Sequence, residues 1–215
     1  ARHAEGARPL ARCAREALRL PADSGVGAGL PSRGEELAVG VVELRLPRVD
    51  EEQEFLRAHR ATTPEAPSFL HSYEEGMPFG RYIEVLEQQA RGENLPPNHV
   101  PSTFLFAFDG SRIVGRVAIR HHLNEFLLRV GGHIGFVVVP EFRRQGYATA
   151  MLRGSLDIAH RSLGIARVLV TCDDDNVGSI RTIEKNGGVL ENVLTGPDLD
   201  TPKRRYWIDA RVRAS

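Results

Sequence analysis

Between His133 and Gly164 the chain passes from an apolar run, through a proline, into an arginine-glycine turn and out along an amphipathic stretch. This join narrows the choice of fold more than any other segment. Val137-Val138-Val139 has the β-branched character of a strand end, and Pro140 cannot extend a ladder. Arg143-Arg144-Gln145-Gly146-Tyr147-Ala148 follows. A helix is expected to start near Gly146, with Ala148, Met151, Leu152, Leu156 and Ala159 on one face and Gly164 as its stop. The first amides of such a helix have no intrahelical acceptor. Small residues at 146 and 148 let an anion approach them, and the arginines add positive charge, which suits a pyrophosphate. The plainer alternative is a tight turn with two solvated arginines. No Gly-Lys-Ser/Thr follows, so this is not a Walker loop, and the three-glycine dinucleotide fingerprint is absent.

The flanking elements are consistent with an α/β layered domain. Val42, Leu44 and Leu46 alternate with charged residues, as in a half-buried strand. Asp50 with Gln53 reads as a capping box opening a helix to about His59. Residues 61–80 read as loop, and Arg81–Gln89 as a second helix. Thr103–Phe108 and Ile113–Ile119 form strands around an Asp109-Gly110 turn. Val168–Thr171 is a short buried strand, and Asn176 caps a helix with Val177, Ile180 and Ile183 inward and Gly187 as its end. Strands at Val189–Leu194 and Tyr206–Val212 close the order.

Composition bounds the partners. Lys+Arg and Asp+Glu number 28 each, and this zero balance argues against nucleic-acid or membrane-surface binding. No apolar run approaches the roughly 18 residues of a membrane span. Cys13 and Cys172 are too few for a disulfide framework, which favours a reducing, cytoplasmic setting. Residues 1–36, rich in Ala, Arg and Gly, read as a flexible tail rather than a transit peptide, and residues 37–215 as the folded domain. Ala1 in place of an initiator Met fits a processed or truncated product.

On two half-motifs the sequence resembles the GNAT (Gcn5-related N-acetyltransferase) superfamily. Arg143-Arg144-Gln145-Gly146-Tyr147-Ala148 matches its Arg/Gln-x-x-Gly-x-Gly/Ala signature, and Asn176, Ser179, Glu184-Lys185 and Gly187 match its downstream half. The resemblance runs from about 41 to 211. It implies a GNAT-like fold: a mixed, mostly antiparallel sheet with splayed fourth and fifth strands and helices on both faces. It implies acetyl-CoA as acyl donor, with no metal expected, and a small-molecule or peptide amine as acceptor. A homodimer is compatible with it. Val137, Val138 and Val139 would offer main-chain groups to the pantetheine arm. Arg143 and the run from Arg144 through Gln145, Gly146, Tyr147 and Ala148 to Thr149 would cradle the pyrophosphate. Asn176 and Ser179 would lie at the mouth of the next helix, although a plain N-cap explains Asn176 as well.

The family often carries a tyrosine seven residues after the asparagine, thought to protonate the departing thiolate. Ile183 occupies that position here, and Gly188 replaces the usual aromatic after Gly187. A non-catalytic acyl-CoA-binding module and an unrelated phosphate-binding domain therefore stay open. Glu125, flanked by His121, His122 and His133, and Asp173 are the candidate bases. Tyr206 is a candidate acid, with packing as its plainer role. No recognised zinc spacing links the histidines and Cys172. Glu74, Glu75 and Asp173–Asp175 hint at a cationic acceptor, and solvated surface explains them equally.

Overall fold

A computed structural model describes residues 42–63 and 66–211. The expected tail at 1–36, residues 37–41 and Val212 lie outside the described residues. In chain order the elements are β1 (Glu43–Arg45), α1 (Glu52–Thr62), α2 (Phe79–Arg91), β2 (Ser102–Asp109), β3 (Arg112–Arg120), β4 (Ile134–Val138), α3 (Tyr147–Leu163), β5 (Arg167–Asp173), α4 (Val177–Lys185), β6 (Val189–Leu194) and β7 (Lys203–Asp209).

The strands form two sheets, ordered β1-β2-β3-β4 and β5-β7-β6. Every ladder among the described residues is antiparallel, in keeping with the mostly antiparallel arrangement expected. β4 and β5 share no ladder and meet at one point. The His133 N–H donates to the Leu169 carbonyl (2.7 Å), and the Leu169 N–H donates to His133 Nδ1 (3.0 Å). Beyond that point the strands diverge, and a wedge opens toward the C-terminal end of β4.

Two apolar layers cover the first sheet, and one of them joins it to the second. On one face, Val117, Ile119, Met151, Leu152, Val168 and Ile183 pack between the strands and α3–α4. On the other, Phe55, Phe69, Phe79, Tyr82, Phe106 and Phe108 pack beneath α1 and α2. Gly115 on β3 is required by this closeness: a Cβ there would stand 2.5 Å from the Val137 carbonyl oxygen and 2.7 Å from Met151 Cε.

Three local expectations need correction. Asp50 does not cap α1; Val49–Glu51 is a 3-10 turn before the helix. Glu51 rather than Asp50 reaches back, because its longer carboxylate takes the Arg48 N–H (2.7 Å) and the Arg45 guanidinium (2.7 and 2.8 Å). α2 starts two residues before Arg81, because Phe79 and Tyr82 bury together against Phe55. Val177 is 52% exposed rather than inward, since the inward stripe of α4 is carried by Thr182 and Ile183.

Candidate active site

The wedge is a cleft of about 700 Å³ walled by the end of β4, the turn before α3, the first turn of α3 and one face of α4. Each wall has a local cause. Val139 donates its N–H to Val114 (2.9 Å) and is fully buried. Donor direction alternates along a strand, so the N–H groups of Val138 and Phe136 face the open edge. Pro140–Phe142 then makes a 3-10 turn. Glu141 anchors it to α1 and β3 through Arg57 (2.7 Å) and Arg112 (2.8 Å), and Gln145 Nε2 donates to the Glu141 carbonyl (3.0 Å).

Arg144 (φ +64°) and Gly146 (φ +88°) both adopt left-handed backbone, which costs Arg144 energy that glycine does not pay. This alternation turns successive amides toward one side. The first amide bonded inside α3 is that of Ala150, to the Gly146 carbonyl at 3.2 Å. The N–H groups before it have no helical carbonyl to bond. On the opposite wall Asn176 Oδ1 accepts the Ser179 N–H (3.0 Å), the N-cap expected of it. Asn186, buried behind this wall, ties α4 to α3 by donating to Thr182 O (2.9 Å) and Thr149 O (3.3 Å).

Of the residues expected at the cofactor site, Val137, Val138, Arg143, Arg144, Gly146, Ala148, Thr149, Asn176 and Ser179 line the cleft. Three expected residues do not. Val139 sits in the α1–α2 core, and the Gln145 side chain turns back to Glu141. Tyr147 is buried, its hydroxyl donating to Asp109, whose carboxylate holds the phenol up at about 12. Sequence reasoning missed Phe136, Phe142, Val177, Gly178, Arg181, Thr182 and Lys185 in the lining. Arg181 and Lys185 were legible as cations four apart on one helical face. The lining thus holds Arg143, Arg144, Arg181 and Lys185, and no carboxylate among the described residues.

None of the candidate acids and bases lines this cleft. Glu125 is exposed in the β3–β4 connection. Asp173 pairs with Lys203, and Asp174 with Arg204 (2.6 Å), so these carboxylates are already balanced. Tyr206 is 1% exposed; its hydroxyl donates to Glu184 (3.3 Å) and accepts from Arg204 (3.4 Å), and burial raises its pKa. His133 accepts from Leu169 at Nδ1, and burial, with the nearby Arg120 charge, lowers its pKa to about 4. It is a pin between strands and a poor base. Burial pushes the Cys172 thiol up to about 11, which disfavours a nucleophilic thiolate. No group of three His, Cys, Asp or Glu among the described residues is placed to hold a metal.

Two antiparallel sheets, with a cleft between the end of β4 and the starts of α3 and α4, define a split α/β domain. Residues 42–189 match the acetyltransferase (GNAT) domain family, and the chain belongs to that family. The uncharacterized N-acetyltransferase YnaD of Bacillus subtilis (strain 168) is 24% identical over 101 residues, 47% of this chain and 55% of that protein, so the match spans about half of the relative's length. Two solved structures share the fold. Mycobacterium smegmatis RimJ in complex with CoA-disulfide has a TM-score of 0.58 at 19% identity, over 80% of this chain and 84% of that one. The ribosomal-protein-S5-alanine acetyltransferase of Vibrio fischeri has a TM-score of 0.58 at 13% identity, over 79% and 93%.

Proposed function

We propose that the protein is an N-acetyltransferase that moves an acetyl group from acetyl-CoA to a primary amine of a small molecule or peptide, by direct attack in a ternary complex. The observation that carries this is the wall of the wedge: the start of α3 and four basic side chains, with no carboxylate in the lining among the described residues. That donor set fits coenzyme A. The amides from Arg144 to Thr149, with Arg143, would hold its diphosphate. Arg181 and Lys185 add charge for a further phosphate. The open edge of β4 at Phe136 and Val138 would hold the pantetheine arm as an added strand. When bound, the donor supplies an activated acyl carbon and a thiolate leaving group.

The chain's own task is then positioning. The amine's lone pair forms the C–N bond as the C–S bond breaks, and the proton it loses goes to the departing sulfur. The Val138 N–H, aimed into the wedge, stabilises the charge developing on the carbonyl oxygen. With no carboxylate or imidazole lining the cleft among the described residues, the amine must lose its proton cheaply. A lysine-like amine costs about 4.6 kcal/mol to neutralise at pH 7, an α-amine of pKa about 7.7–8.0 only about 1 kcal/mol. The site therefore suits an α-amino acceptor. A solved structure of the same fold, RimL, is named as a ribosomal L7/L12 alpha-N-protein acetyltransferase.

The test is release of free thiol from acetyl-CoA with a panel of primary amines. Turnover with α-amines above background is expected. Tight CoA binding without turnover would favour a non-catalytic acyl-CoA-binding module, the reading that the fully buried Ile183, in place of a tyrosine acid, supports.

A further inference from the structure

On the sheet face that α1 and α2 cover, small residues of β3 and β4 form a floor between two arginines. Ala118 of β3 pairs with Gly135 of β4, and Arg116 with Val137. Arg120 donates its N–H to the His133 carbonyl (2.8 Å). Arg116 and Arg120 thus stand four residues apart on one face of β3, with Cα atoms about 13 Å from each other. The Arg120 side chain lies close over Gly135: a Cβ there would stand 3.2 Å from its Nη1, so the guanidinium would have to shift by a few tenths of an ångström. That guanidinium donates to the Gly131 carbonyl (3.3 Å), and no carboxylate among the described residues pairs with it. It can offer five N–H donors. Burial lowers its pKa; burial also lowers those of His71 and His133, with the Arg120 charge adding to the shift. His71, stacked on Phe104 at 5.1 Å, completes a corner where the neighbouring titratable groups are basic.

An arginine of this kind, half-buried with donors to spare, is costly unless an anion joins it. Its place matters as much as its charge. Gly135 immediately precedes Phe136, whose N–H faces the wedge and whose side chain lines the cleft. Arg120 does not line the cleft; it packs against Gly135, one residue from that edge, on the opposite face of β4. We infer that Arg120 selects the acceptor, and that the acceptor is an amine carrying a carboxylate or comparable anion within a few ångströms of the reacting nitrogen. This rests on the acetyltransferase reading above. It reverses the cationic acceptor hinted at by the acidic runs. Asp173 and Asp174 are neutralised by Lys203 and Arg204, and Glu74 and Glu75 are exposed.

The test uses matched acceptors in the thiol-release assay, with kcat/KM expressed per neutral amine because a free α-carboxylate raises the pKa of its own amine: alanine against alaninamide, and the tripeptide amides Ala-Asp-Ala against Ala-Asn-Ala. The first pair represents a free amino acid, the second an acidic peptide N-terminus. At least one acidic member is expected to exceed its neutral partner by tenfold or more in kcat/KM. In Arg120→Gln that ratio should collapse toward one, mainly through KM, while CoA affinity stays within twofold. Arg120→Lys should keep part of the preference. Gly135→Ala, which pushes the guanidinium aside, should reduce it several-fold. Equal turnover of both members, or a preference that survives in Arg120→Gln, overturns the inference and leaves the acetyltransferase standing. No turnover of any amine despite CoA binding overturns both.

Discussion

His133 is the joint from which the wedge opens, and its titration makes that joint measurable. The ring is 8% exposed, accepts the Leu169 N–H at Nδ1, and has its pKa lowered from 6.5 to about 4, by burial first and the Arg120 charge second. A base whose folded pKa is depressed binds protons more readily once unfolded. Its contribution to stability is complete above about 6.5 and is lost as pH falls through the window to about 4. At about 1.36 kcal/mol per pH unit the window is worth about 3.4 kcal/mol at most. Solvent reaching the rim of the ring reduces this to about 2–3 kcal/mol. His133→Asn keeps an acceptor near the Nδ1 position and does not titrate. Urea unfolding of both proteins at pH 7, 6, 5 and 4 should show the wild type losing about 2–3 kcal/mol more than the variant. CoA affinity should weaken over the same range, since protonation removes one of the two bonds joining β4 to β5. Stability curves that run parallel from pH 7 to 4 would refute the assignment of His133 as a neutral pin.

Gly146→Asp places a carboxylate and a strained left-handed backbone at the anion cradle, and CoA affinity by calorimetry should fall more than tenfold, over about 1.4 kcal/mol. Arg181→Gln and Lys185→Gln should each weaken CoA several-fold and flatten the salt dependence of its binding, with little effect on pantetheine, which has no diphosphate. Tyr206→Phe removes only two long hydrogen bonds, of 3.3 and 3.4 Å, away from the cleft; turnover should stay within twofold and stability within about 1 kcal/mol, and a hundredfold loss of kcat would restore Tyr206 as the acid. Gly115→Ala, at 2.5 Å from a backbone carbonyl, should cost about 1–3 kcal/mol in thermal or urea unfolding.

The strand, turn and helix from Val137 to Gly164 were readable in the sequence because each signal there is local. β-branched residues, a proline, a glycine that must take positive φ and a 3.6-residue apolar stripe all act within a turn or two of themselves. Asn176 was readable for the same reason. The termination of the β3–β4 ladder partners at a split was implied by resemblance alone, since the pin that makes it, His133 to Leu169, joins residues 36 apart. Asp50 misled because a capping box is a local pattern, whereas Glu51 answers to Arg45 across the preceding turn. Tyr147 and Gln145 sit in the right motif yet point elsewhere, because the Asp109 carboxylate and the Glu141 carbonyl reach them from other parts of the fold. The candidate bases were chosen by residue type along the chain. That gave no access to the ion pairs that occupy Asp173 and Asp174.

The account turns on one contact, the diphosphate of coenzyme A against the first amides of α3. Backbone amide shifts of isotopically labelled protein, followed as CoA is added, report on it residue by residue. Residues 144–149 should show the largest changes, saturating together with those of Phe136 and Val138, while pantetheine should move only the latter pair. Saturable CoA binding that leaves 144–149 unmoved would place the ligand elsewhere and contradict the account.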